Sequence, residues 1–182
     1  IILNKKDLSR IERPEESVEE PTFHLSHYIE RDRNGKYRIN QYAHYRGMYE
    51  GYLHGRVNVY DPESDGFKRR NALLFPHRNG KFAITGAKFR IIWENKDRFT
   101  ARGRLGFYIL SNTIGPNPIL YIAESETSAN SLWMFLKKHG VNCIVLCIGG
   151  VTSRVELPEA YMKLSDRRLV IDYDGDEEIY QQ

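Results

Sequence analysis

The hydrophobic pattern changes at residues 115–118 (GPNP), and the two sides of this break predict different structures. After the break, the continuous apolar runs Ile119–Ala123 and Cys143–Ile148 predict buried parallel strands, and Leu169–Ile171 begins a third. Apolar positions at helical spacing predict a helix over Ser125–His139. With a second helix after the middle strand, this order predicts an α/β fold with a parallel sheet covered by helices.

Before the break, the pattern alternates with the period of two that is typical of antiparallel strands. Strands are predicted over Asn71–Phe75, Lys81–Thr85 and Lys88–Trp93. The dipeptide at 79–80 (Asn-Gly) is a hairpin signal, and residues 61–66 (DPESDG) have the composition of a turn. This part of the chain is therefore expected to form a small, mostly antiparallel β unit.

The remaining segments have weaker patterns. Residues 7–21 are acidic and rich in proline, which is typical of a linker or tail. Residues 23–60 show no clean period and are expected to hold short strands and one short helix, while Pro158–Leu164 suits the second helix of the α/β part. We predict a charged tail over 1–22, a basic α+β subdomain over 23–110 and an α/β domain over 111–182.

Composition narrows the class of protein. The 182 residues are 41% hydrophobic and 28% charged, as expected for a globular chain. No apolar stretch approaches the length of a membrane span, and the start does not resemble a signal peptide, so we predict a cytoplasmic protein without a membrane partner. Cys143 and Cys147 are too few for a disulfide framework or a four-ligand zinc site.

The net charge of +3 conceals an uneven distribution. Residues 23–110 hold 17 basic against 8 acidic side chains, whereas residues 111–182 hold 6 against 10. A basic half joined to an acidic half is expected where one surface binds a polyanion and another binds metal ions.

Acidic residues follow two of the predicted parallel strands. Glu124 comes directly after the first strand, and Asp172, Asp174 and Asp176 end or follow the third. Because the carboxyl ends of parallel strands line the ligand crevice of an open α/β sheet, we expect these carboxylates to meet at one edge. Clustered carboxylates repel each other unless cations neutralise them, and hard oxygen ligands suit Mg²⁺ or Mn²⁺. An acidic surface turn is the simpler alternative.

These residues carry a resemblance to the Toprim domain, the metal-binding module of bacterial-type primases, type IA and II topoisomerases and certain nucleases. ILYIAESETSANSLW resembles its first motif, with Glu124 at the acid, and VIDYDGD resembles its second, with Asp174 and Asp176 at the acidic pair. The resemblance implies a Toprim-type (Rossmann-like) parallel sheet with flanking helices, preceded by a smaller basic α+β subdomain. It also implies catalytic roles for Glu124, Asp174 and Asp176, with Asp172 as a further metal ligand.

Among these families, the primases resemble the chain best. The segment FPHRNGKFAITGAKFR at 75–90 is similar to the hairpin before the primase Toprim domain, and Arg102 and Gly103 stand where that family has a basic residue and a glycine. The implied activity is primer synthesis on single-stranded DNA from nucleoside triphosphates, with Mg²⁺ or Mn²⁺. A replicative helicase is a further implied partner, and plasmid- and phage-type relatives tolerate a hydroxyl at the position of Ser128.

The chain departs from the family pattern at several positions. Ser125 replaces the usual glycine, Ser128 replaces a frequent acid, and Glu126 is a possible substitute for that acid. The motif after Asp176 continues differently, so the domain is expected to lack its closing helix and last strand. A Toprim nuclease and a catalytically inactive nucleic-acid-binding protein therefore stay open as alternatives.

The basic subdomain supplies the predicted phosphate contacts. Nearby Tyr and Phe side chains are able to stack on unpaired bases, although ordinary packing also explains them. The predicted nucleic-acid-binding residues are Lys68, Arg69, Arg70, Arg78, Lys88, Arg90, Arg98, Arg102 and Arg104.

Overall fold

The computed structural model describes residues 22–92 and 98–148, together with Tyr161 and the backbone of the strand at 169–172. The predicted tail and most of the predicted helix at 158–164 lie outside these residues. Two four-stranded sheets account for the strands. Sheet A consists of β1 (Leu53–Asp61), β2 (Gly66–Arg78), β3 (Ile84–Ile91) and β4 (Arg98–Gly103). Sheet B consists of β5 (Tyr108–Asn112), β6 (Ile119–Ala123), β7 (Cys143–Cys147) and β8 (Leu169–Asp172).

Sheet A is antiparallel in the order β1-β2-β3-β4, as the alternating pattern predicts for this part of the chain. Its second connection is longer than a two-residue Asn-Gly turn. The Oδ1 atom of Asn79 accepts hydrogen bonds from the backbone N–H groups of Lys81 and Ala83, both at 3.0 Å. These bonds hold residues 79–83 as a loop, so β3 starts at Ile84 rather than at Lys81.

Helix α1 (Arg33–Tyr45) lies in the segment where the sequence shows no clean period. The side chain of Asp32 caps its first turn by accepting a hydrogen bond from the N–H of Gly35 at 2.7 Å. Ile39 and Ala43 are fully buried one turn apart, against β2. Packing of this narrow apolar stripe on the sheet stabilises a helix that is otherwise polar.

The predicted Toprim-type (Rossmann-like) parallel sheet with flanking helices is wrong. Sheet B is mixed, in the order β5-β7-β6-β8: β6 runs parallel to β7 and β8, but β5 runs antiparallel to β7. Sheet A is wholly antiparallel, and the residues described hold two α-helices, α1 and α2 (Glu126–Lys138). The chain is therefore richer in sheet than predicted.

The side chain of Asn142 ties the break at 115–118 to the start of β7. Its amide donates to the carbonyls of Gly115 and Pro116 at 3.0 Å, and its oxygen accepts from the N–H of Ile114 at 3.2 Å. The break before β6 is thus fastened to the residue that precedes β7. The short strand β5 lies beside β7 as its antiparallel partner, a pairing that the spacing of hydrophobic residues does not reveal.

One hydrophobic core joins the two sheets. Leu73 and Phe75 of β2 pack with Ile39 of α1, and the same cluster includes Trp133 of α2 and Val145 of β7. A second cluster fills the other face of sheet A and is covered by residues 23–29. Among the residues described, no helix is long and apolar enough to cross a membrane.

Gly103 combines a left-handed backbone with a crowded environment. Its φ is +71°, and a Cβ atom there would lie 2.6 Å from Cδ2 of Phe23 and 2.9 Å from Cα of Gly86. Gly47 has the same φ of +71°, but a Cβ atom would meet nothing within 4 Å. We expect Gly103→Ala to lower the free energy of unfolding by about 2–5 kcal/mol and Gly47→Ala by about 1–2 kcal/mol. Urea denaturation of both variants measures this difference, and equal losses would exclude steric crowding at Gly103.

Candidate functional site

Glu124 and Asp172 lie where strands β6 and β8 end, and we call this end of sheet B the acidic edge. These strands are parallel neighbours, and Ala123 of β6 is in register with Asp172, the last residue of β8. Glu124 follows Ala123 directly, so its backbone and that of Asp172 leave the sheet at the same edge. Adjacent strands are about 4.8 Å apart. The register thus places the backbones of Glu124 and Asp172 at neighbouring strand ends, and the meeting of their carboxylates stays a prediction.

The residue after β6 is also tied to the neighbouring strand. The carbonyl oxygen of Glu124 accepts a hydrogen bond from Sγ of Cys147, the last residue of β7, at 3.3 Å. Asp174 and Asp176 lie outside the described residues. Within the described part of the chain, no group of three or more His, Cys, Asp or Glu side chains is placed to hold a metal ion.

The two serines that depart from the Toprim motif cap helix α2. Ser125 is the N-cap residue, and its Oγ accepts from the N–H of Ser128 at 3.1 Å. The hydroxyls of Ser125 and Ser128 also contact each other at 2.8 Å. These bonds satisfy free donors at the start of the helix and fix the backbone that follows Glu124.

Glu126 is not a substitute metal ligand but part of a buried cluster between sheet A and α2. Its side chain is 1% exposed, and its two oxygens contact Nε2 of His77 at 3.0 Å and Nζ of Lys88 at 2.9 Å. His77 is fully buried, and its Nδ1 contacts the carbonyl oxygen of Gly106 at 2.9 Å. Because a carbonyl oxygen only accepts, Nδ1 of His77 is the donor in this contact.

Burial, the hydrogen bond to His77 and the charge of Lys88 together set the ionisation of Glu126. Burial raises the pKa of Glu126, but the hydrogen bond to His77 and the ammonium of Lys88 lower it more, so the pKa lies below its ordinary value of 4.5. Glu126 is therefore a carboxylate at neutral pH. Its contacts join α2 to β2 and β3 at a position two residues after Glu124.

Arg90 makes a second connection between sheet A and α2. It is 7% exposed; its Nε donates to the hydroxyl of Tyr42 at 3.0 Å and its Nη1 to Oγ1 of Thr127 at 3.3 Å. The guanidinium also lies 5.0 Å from the ring centre of Phe99. The cationic side chains of β3 thus reach the start of α2, next to the acidic edge.

Most of the predicted nucleic-acid-binding residues have partners within the protein. Lys68 and Arg70 both contact the buried carboxylate of Asp61, and the hydrogen bond from Lys68 keeps the pKa of Asp61 below its ordinary value although burial raises it. Ion pairs or hydrogen bonds within the protein engage several predicted residues, including Lys68, Arg70, Arg78, Lys88, Arg90 and Arg102. Arg69 and Arg104 are exposed and Arg98 is partly exposed. Their contacts with nucleic acid stay a prediction.

The sequence does not single out which aromatic side chains of the basic subdomain are exposed, and three of them lie on sheet A. Tyr60, Phe67 and Phe99 are 49%, 75% and 49% exposed. They line a cavity of about 440 Å³ together with Arg98 and Arg102. The available signal was the position of Tyr60 and Phe67 on either side of the turn at 61–66, which makes them direct partners in the sheet.

Comparison of the chain with protein-family models, with curated proteins and with solved structures finds no match.

Proposed function

We propose that the protein is a primase-like nucleotidyltransferase that synthesises oligonucleotide primers on single-stranded DNA by metal-dependent phosphoryl transfer. The observation that carries the proposal is the register of β6 and β8, which brings the backbones of Glu124 and Asp172 to one edge. The resemblance of the two acidic motifs to those of Toprim primases supports the same activity, and it stands on the motifs rather than on a parallel sheet.

The donor set at this edge fits Mg²⁺ or Mn²⁺. The residues that would hold the ions are Glu124 and Asp172, followed by Asp174 and Asp176, and all four offer carboxylate oxygens. Bound there, the ions would neutralise phosphate charge and activate the attacking hydroxyl. The chain's own contribution is positional: Ser125 and Cys147 fix the backbone on either side of the Glu124 carbonyl.

The cations beside this edge support a polyanionic substrate. Lys88 and Arg90 leave β3 toward the start of α2, where they contact Glu126 and Thr127. The basic region that contains them has 17 basic against 8 acidic side chains. Such a field favours the approach of a nucleic-acid backbone to the acidic edge.

A primer-synthesis assay tests the proposal. The protein is incubated with a single-stranded DNA template, labelled nucleoside triphosphates and Mg²⁺ or Mn²⁺, and the products are separated by size. We expect short oligonucleotides that depend on template and disappear when EDTA removes the metal. Template cleavage would instead identify a nuclease, and binding without chemistry would identify an inactive nucleic-acid-binding protein; either outcome overturns the proposal.

A further inference from the structure

We propose that Tyr60, Phe67 and Phe99 form a stacking platform that binds the unpaired bases of a single-stranded nucleic acid. The inference rests on the proposed function only for the purpose that the bound nucleic-acid strand serves. The binding test does not depend on primer synthesis. The inference assigns to the aromatic side chains a role that the predicted phosphate contacts do not cover.

The sheet register places the three rings on one face of sheet A. Tyr60 of β1 is paired directly with Phe67 of β2, and their ring centres are 5.9 Å apart with an edge-on geometry. Phe99 of β4 is paired with Arg90 of β3, which is paired with Leu73 on the same face of β2 as Phe67. The three rings are 49% to 75% exposed, whereas rings that serve packing are normally buried.

The surroundings of the rings are cationic. The exposed Arg69 lies two residues from Phe67 on the same face of β2. Lys88 and Arg90 lie 5.5 and 5.0 Å from the ring centre of Phe99. Exposed aromatic rings interleaved with cations fit single-stranded nucleic acid, whose bases stack and whose phosphates are attracted. The core of a protein–protein interface is instead depleted of charge.

The platform also leads toward the acidic edge. Phe99 contacts Lys88 and Arg90, and these two side chains contact Glu126 and Thr127 at the start of α2. Glu124 lies two residues before Glu126. Phe99 is therefore connected through these two side chains to the start of the helix beside the edge where the proposed reaction occurs.

Stacking predicts binding with little sequence preference and a specific response to substitution. Loss of one stacking side chain is expected to weaken binding of a single-stranded oligonucleotide by about 5- to 100-fold. The slope of affinity against salt should stay unchanged, because that slope counts phosphate contacts.

The test measures binding of fluorescent 15-mers of thymidine and of uridine by anisotropy. We expect Phe67→Ala and Phe99→Ala to weaken binding as stated, Phe67→Trp to retain it, and oligothymidine and oligoadenosine to bind alike. Phe135→Ala is the matched control, because Phe135 is also exposed, at 60%, but lies on α2. Its affinity should stay within about twofold of the unsubstituted protein, as expected for a surface change away from the site.

An abasic 15-mer provides a measurement that does not depend on a substitution. It should bind the unsubstituted protein at least as weakly as the normal oligomer binds Phe67→Ala, and Phe67→Ala should weaken it no further. Equal binding of abasic and normal strands, equal binding of a duplex, or unchanged affinity of Phe67→Ala and Phe99→Ala would overturn the platform.

The binding and primer-synthesis assays separate the two proposals. Primer synthesis that persists while Phe67→Ala binds normally refutes the platform and leaves the proposed function standing. Weakened binding of Phe67→Ala in a protein that makes no primers refutes the proposed function and leaves the platform standing. A difference between the thymidine and uridine oligomers would show which nucleic acid the platform prefers.

Discussion

Replacement of Glu126 by alanine is expected to lower the free energy of unfolding by about 3–5 kcal/mol. The carboxylate is 1% exposed and bonded to His77 and Lys88, so its removal leaves the fully buried His77 and the partly buried Lys88 without their acceptor. Alanine has the best helix propensity, so the loss does not come from α2 itself. Urea denaturation with a fixed m-value measures the change.

A second glutamate–lysine pair serves as the control. Glu50 contacts Lys137 at 2.7 Å, but its side chain is 52% exposed and that of Lys137 is 41% exposed. Because surface ion pairs contribute little, Glu50→Ala should change the free energy of unfolding by about 0–1 kcal/mol. Equal losses in the two variants would show that burial of the Glu126 cluster is not what gives it its strength.

The pH dependence of the difference has a definite sign. Burial raises the pKa of Glu126, and His77 and Lys88 lower it further than burial raises it, so the pKa is lower in the folded than in the unfolded state. The unfolded chain therefore takes up the proton first as the pH falls, and the contribution of Glu126 is lost below about pH 4.5. The difference in the free energy of unfolding between the unsubstituted protein and Glu126→Ala should be fully present at pH 7 and smaller at pH 3.

The secondary structure of the segment from β6 to β7 is well predicted by the local sequence pattern. The run Ile119–Ala123 is continuous and apolar, and Ser125 offers a capping oxygen immediately before the helical spacing begins. Both signals depend on neighbouring residues in the chain, so they are readable from the sequence. The structure accordingly begins α2 at Glu126, one residue after the predicted start.

Features that depend on distant partners were not predictable in this way. The burial of Glu126 is set by His77, which lies 49 residues earlier, and no local pattern links them. The antiparallel strand β5 is placed by its pairing with β7, which lies far along the chain. A motif-based expectation of parallel strands therefore fails at the strand whose position depends on a long-range pairing.

The acidic edge was only partly predictable from the sequence. The sequence places Glu124 and Asp172 at strand ends, and the register of β6 with β8 brings their backbones to one edge. Asp174 and Asp176 lie outside the described residues, so their membership in the site stays a prediction. Substitution of the residues at this edge is therefore the most direct test of the proposed chemistry.

Glu124→Gln and Asp172→Asn are each expected to reduce primer synthesis by at least about 100-fold. Loss of a residue that merely orients a metal ligand costs about 10- to 100-fold, and loss of a ligand's charge should cost more. Binding of single-stranded DNA should remain, because the stacking platform and the basic strand are unchanged. Glu63→Gln is the control, because it is the same substitution of glutamate by glutamine at an exposed position in the turn between β1 and β2.

Thermal unfolding with and without Mg²⁺ separates loss of metal from loss of fold. A metal that binds the folded state alone stabilises it by about 2.7 kcal/mol at 100 times its dissociation constant. We expect this stabilisation in the unsubstituted protein and in Glu63→Gln but not in Glu124→Gln. Without metal, Glu124→Gln should be as stable as the unsubstituted protein or more so, because clustered carboxylates repel each other. Retained primer synthesis together with retained stabilisation by Mg²⁺ in Glu124→Gln would remove Glu124 from the metal site.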